Sequence, residues 1–191
     1  MKITSKVTTL TALMALAACS ALSGPKAPPA PPPPSALSAT DAGFVQKASE
    51  LNLVETALAN AAATNAASAG VKSFAAAQVT DHTVAQNRLT AIASSHGVTL
   101  ATEPNADDKK IVTTLTGLKD AAFDKAYLSQ VITDHKAALP VMTTEASSSS
   151  DIDLKSYAED NSASVQKHLS AAEALQNPGR HTTSRTHKHR Y

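Results

Sequence analysis

Residues 71–97 read "VKSFAAAQVTDHTVAQNRLTAIASSHG". Val71, Ala75, Gln78, His82, Ala85, Leu89, Ile92 and His96 step by four and three, the spacing of one face of an α-helix, until Gly97 ends the run. The same spacing recurs before and after it. From Asp41, read as an N-cap, it passes through Phe44, Ala48, Leu51, Glu55, Leu58 and Ala62, with Gly70 marking the turn into the second helix. A third run starts near Asp120 and places Leu128, Val131, His135, Ala138 and Met142 on one stripe, flanked by Phe123 and Tyr127. A fourth, after "SSSSDID", carries Leu154, Ala158, Asn161, Val165, His168, Ala172 and Leu175 and stops before Pro178. Pro140 predicts a kink near Lys136 to Pro140 in the third helix, because it removes a backbone donor and crowds the preceding turn. The patch Ile111, Val112 and Leu115, closed by Gly117, predicts a loop and a short extra helix between helices two and three. The expected fold is all-α, an antiparallel four-helix bundle over residues 41–176.

Composition agrees. Aromatic residues make up 3% of the 191 residues and Trp is absent, so the core must come from Ala, Leu and Val with close helix approach. All 16 acidic residues lie between Asp41 and Glu173 together with only 10 of the 17 basic ones. An acidic body excludes nucleic acid as the main partner.

The first residues, "MKITSKVTTLTALMALAACS", have a basic start, an apolar run too short to span a bilayer, and small residues before the chain's single cysteine. Leu16-Ala17-Ala18-Cys19 resembles the lipobox of bacterial lipoproteins. That resemblance implies a signal peptide over residues 1–18, lipidation of Cys19 and attachment to a membrane through its acyl chains. Ser20 after the cysteine implies sorting to the outer membrane, facing the periplasm. Seven prolines between Pro25 and Pro34 make residues 19–40 an extended stalk. Residues 177–191 form a basic tail with His181, His187 and His189, expected to be disordered.

Thr-Asp-His occurs twice, ending at His82 and His135. Glu55, His82, His135 and His168 each take a stripe position that otherwise holds apolar residues. Counted from turns at Gly70 and Ser149, they fall within about 5–8 Å of one level along the bundle. One Glu and three His suit a transition metal such as iron, zinc or copper better than Ca²⁺ or Mg²⁺, which prefer oxygen. Asp81 and Asp134 lie about 100° round from their histidines and face the neighbouring helix, where a carboxylate orients an imidazole. Gln78 and Asn161 share the stripes, so a hydrogen-bonded polar layer without a ligand is the alternative, and acid–base catalysis a third use. No Gly-x-Ser-x-Gly, phosphate-binding glycine loop or Cys cluster marks a hydrolase, kinase or dinucleotide enzyme.

"DAGFVQKASELNLVETALANAA", "VKSFAAAQVTDHTVAQNRLTAIASSHGVTL", "FDKAYLSQVITDHKAAL" and "LKSYAEDNSASVQKHLSAAEAL" together resemble the bacterial exported domain of unknown function 4142, over about Asp41 to Leu175. The resemblance implies a ferritin-like bundle, with the family pattern falling on Glu55, Phe74-Ala75, Asp81-His82, Phe123-Asp124, Tyr127-Leu128, His135 and His168. It implies no activity. The Glu-x-x-His of di-iron proteins is missing, since Val79, Ile132 and Val165 stand three residues before the histidines. Two functional expectations follow. One is an envelope binding module with a metal or small ligand inside the bundle; the other is a structural protein whose outer faces or tail meet an envelope or surface partner.

Overall fold

The computed structural model describes residues 36–178, so the signal peptide, Cys19, most of the proline stalk and the histidine-bearing end of the tail lie outside the described residues. Among the described residues five helices account for the regular structure: α1 (Ala39–Asn65), α2 (Ala69–Ser95), α3 (Ala106–Thr116), α4 (Asp120–Ser148) and α5 (Ile152–Gln176). None is long and apolar enough to cross a membrane.

Side-chain caps set most helix starts by satisfying backbone N–H groups that have no partner in the first turn. Ser38, rather than the expected Asp41, caps α1 and accepts from the Asp41 backbone N–H. The turn into α2 likewise lies earlier than Gly70: Ser68 is the cap, and Gly70 sits inside the first turn of α2. There a Cβ would meet Leu175 Cδ2 at 3.0 Å, so the glycine permits close contact between α2 and the end of α5. Asn105 caps α3 through the N–H groups of Asp107 and Asp108, and Asp151 caps α5 through those of Asp153 and Leu154. Lys119 gives α4 no side-chain cap. α4 continues through Pro140 to Ser148. Pro140 is exposed, where solvent can reach the Lys136 carbonyl that proline leaves without a donor.

α1 packs on α2 and α4, α5 packs on α4 and α2, and α3 lies against α1 and α4. Two apolar clusters show how the helices run. One gathers Phe44 and Val45 from the start of α1, Leu89 and Ile92 from the end of α2, Met142 of α4 and Leu154 and Tyr157 from the start of α5. The other gathers Leu58 and Ala62, Val71 and Phe74, Phe123 and Tyr127, and Ala172. All five aromatic residues in the described chain are buried, and Phe123 stacks on Tyr127 with ring centroids 5.6 Å apart. In an alanine-rich interior these rings supply much of the buried apolar area. Between the clusters, on every long helix, lie polar residues.

The joints are tied by side chains. Asp124 of α4 accepts from the backbone N–H groups of Ala67 and Ser68 at 3.1 and 2.9 Å and so holds the α1–α2 turn. Buried Asn65 donates to Thr116 O at 2.8 Å and accepts from the Lys119 ammonium. Asp124→Ala is expected to lower the unfolding free energy by about 1–2 kcal/mol, two solvent-reached charge-assisted bonds being lost, measured as a shift of the urea midpoint with unchanged slope.

Candidate metal centre

His82 of α2, His135 of α4 and His168 of α5 are 4%, 0% and 3% exposed. Their rings form a nearly equilateral triangle, with centroids 5.5, 5.4 and 5.5 Å apart. One nitrogen from each lies within 4.8 Å of the others. Helical spacing puts each histidine on the inner face, and helices approaching through alanine bring the three rings to one level.

The outward nitrogens decide which atoms face in. His135 Nδ1 donates to the Val131 carbonyl at 2.9 Å, one turn back on its own helix, which leaves Nε2 as a lone pair. His168 Nε2 donates to Asp81 Oδ2 at 2.9 Å, which leaves Nδ1 as a lone pair. Both lone pairs are buried and without a hydrogen-bond partner. His82 differs. Its Nδ1 faces Asn52 Oδ1 at 3.0 Å, and Asn52 is held in that orientation by donating to Tyr157 Oη and Gln86 Oε1. Its Nε2 faces Gln78 Oε1 at 3.1 Å. A neutral imidazole has a single N–H, so the second contact becomes a hydrogen bond only when the Gln78 amide turns over and offers its Nε2, itself unpartnered as placed.

Two expected members of the site stand elsewhere. Glu55 is fully buried, but its Oε1 lies 3.7 Å from His135 Nδ1, the nitrogen already turned to Val131, and it is outside the group of three. It backs His135 rather than sharing its inner face. Asp134 does not orient a histidine. Half-buried, it accepts from Gln130 Nε2 at 2.9 Å and lies beside the Glu55 carboxyl. One residue of helical rotation turned it toward α1, where Glu55 waits, rather than toward another imidazole. Asp81 does reach an imidazole of a neighbouring helix, and its side chain is 37% exposed.

Burial shapes the protonation states. It pushes His82 well below the ordinary histidine range, with His135 and His168 adding repulsion. It takes His135 down to about 4, reinforced by His168 and opposed by the Val131 carbonyl. It lowers His168 as well, against the pull of Asp81. All three rings are therefore neutral at pH 7, the form that ligates metals. Burial, then the charge of Asp134, raises Glu55 well above its usual value, so its carboxyl is protonated, and both of its oxygens are buried without a hydrogen-bond partner. Buried Tyr127 is raised too, first by burial and then by the charge of Glu55, while Gln78 opposes.

Asn52 was invisible as a site residue. Its neighbour Leu51 holds the stripe position yet is only half-buried, whereas Asn52 is 3% exposed and ties His82 to Tyr157. The surface grooves of about 240, 430 and 330 Å³ touch none of the three histidines.

A carboxyl whose folded-state pKa is raised lets stability persist below its unfolded value and loses it as pH rises through the folded value. Glu55→Gln removes that loss. The variant is expected to be more stable than the native chain at pH 8, by a margin that shrinks at pH 5, as chemical denaturation at the two pH values would register.

No curated protein and no solved structure matches the chain. Residues 26–175, most of the chain and all three histidines included, match the family described as Domain of unknown function (DUF4142), and the chain belongs to that family.

Proposed function

We propose that this protein is a cell-envelope lipoprotein whose helices form an antiparallel, ferritin-like four-helix bundle and bind one transition-metal ion through His82, His135 and His168. The observation that carries the reading is the pair of buried, unpartnered lone pairs on His135 Nε2 and His168 Nδ1, inside a triangle of neutral imidazoles. Leaving a buried acceptor without a partner costs about 1–3 kcal/mol, and a cation at the centre removes that cost for both. The Val131 carbonyl and the Asp81 carboxylate fix tautomer and ring orientation from outside, as groups behind metal-bound histidines do. Three nitrogen donors suit zinc, copper or iron, not the oxygen-seeking Ca²⁺ or Mg²⁺. Glu55, kept neutral by burial, and Asp134 lie behind His135 and outside the group of three histidines.

A second reading has its own observation. His82 has an amide against each nitrogen, Asn52 and Gln78, which favours a closed hydrogen-bonded layer that sets helix register and takes no ion.

Protein purified without a histidine tag and lacking residues 180–191 separates the two. Metal binding predicts one ion per chain by elemental analysis and added stability of about 2.7 kcal/mol at a hundredfold excess over Kd, both lost in His135→Leu/His168→Leu. The closed layer predicts no bound ion and a double variant that is as stable as the native chain or more so. The anchor is tested separately. Cys19→Ser should abolish palmitate labelling and detergent partitioning; unchanged labelling would overturn the lipoprotein assignment.

A further inference from the structure

We infer that the three-histidine centre is open on one side and takes a second, water-sized ligand from a cavity in the seam between α2 and α5. This rests on the metal reading above and extends it from an ion held in a closed cage to one with an exchangeable position. Three protein nitrogens leave at least one coordination position of a transition metal unfilled, which distinguishes reactive sites from four-ligand structural ones. The structure shows where that position leads. A cavity of about 10 Å³ is walled by His82 and His168, by the polar Asn52, Asp81, Asn161 and Ser164 and by the apolar Leu51, Met142 and Val165, and His135 is not part of its wall. That volume is about what one water molecule needs, and the polar side chains in the wall supply the two to four partners that hold one.

The wall reaches the surface. Asp81, Asn161 and Ser164 are half-exposed, while the two histidines are buried. A small molecule entering past these residues meets the centre at His168, whose unpartnered Nδ1 is the lone pair on that ring. Asp81 also holds His168 by Nε2, so the mouth of the cavity and the ring that the ion would bind share one side chain. The ligand class follows from size and polarity: water, hydroxide or a two-atom molecule, not a ring.

The test uses the full chain loaded with Co²⁺, whose visible absorption reports its ligands. Cyanide is expected to change that absorption saturably with cobalt retained on gel filtration, while imidazole, a five-membered ring, leaves it unchanged. Ser164→Leu should fill the cavity and weaken cyanide binding by about tenfold or more with cobalt stoichiometry kept at one. Asn161→Leu serves the same purpose from the preceding turn of α5, should the first variant fold poorly. Cobalt that binds one-to-one with no response to cyanide overturns the open position and leaves the metal reading standing. Equal responses to cyanide and imidazole, or cyanide binding undiminished in both leucine variants, overturn the cavity as its route. A chain that binds no cobalt overturns the metal reading and this inference together.

Discussion

Three imidazoles buried at one level of an alanine-rich bundle are the constraint around which the rest of this protein is arranged. Each ring carries one proton that needs an acceptor, and a charged ring at that depth would cost several kcal/mol. The acceptors are a backbone carbonyl at His135, a carboxylate at His168 and an amide at His82. Because two of them lie outside the triangle with nothing inside it to match, lone pairs converge on its centre. Stability and a metal-ready geometry thus come from the same hydrogen bonds.

Charge is distributed unevenly behind the rings. Behind His168, Asp81 is anchored to the imidazole yet reaches solvent. Behind His135, burial raises both Glu55 and Asp134 and keeps the fully buried Glu55 neutral. The short helix α3 completes that flank. Glu50 accepts from the Asn105 backbone at 2.5 Å and Asn105 donates to Asp108, whose carboxyl rises to about 6 through burial, Glu50 and Asp134. Helix α3 therefore covers the acidic side of the centre while the α2/α5 seam remains the polar way in.

The two apolar clusters act as end plates. They use every aromatic ring of the described chain to fill what alanine cannot, and they hold the long helices in register so that residues as distant in sequence as His82 and His168 face each other. A bundle held only by its polar layer would be weakly stable, since hydrogen bonds add little net stability compared with apolar burial.

Helical periodicity by itself determined that the body would be all-helical, that a short helix would follow the second long one, and that His82, His135 and His168 would point inward, because the 3.6-residue period fixes direction within a helix. What it could not decide was how each helix is rotated against its neighbours. A rotation of a few tens of degrees buries Asn52 in place of Leu51, turns Asp134 to Glu55 instead of to an imidazole, and sets Glu55 against the outer nitrogen of His135. The α1 cap falls on Ser38 rather than Asp41 for a related reason: Ser38, like Ser68 at the start of α2, is ordinary in sequence and becomes a cap only through its backbone geometry. The Asp81 bond to His168, the Asn52 contact to His82 and the cavity at the seam depend on atoms from different helices meeting, and only the packed tertiary structure decides that.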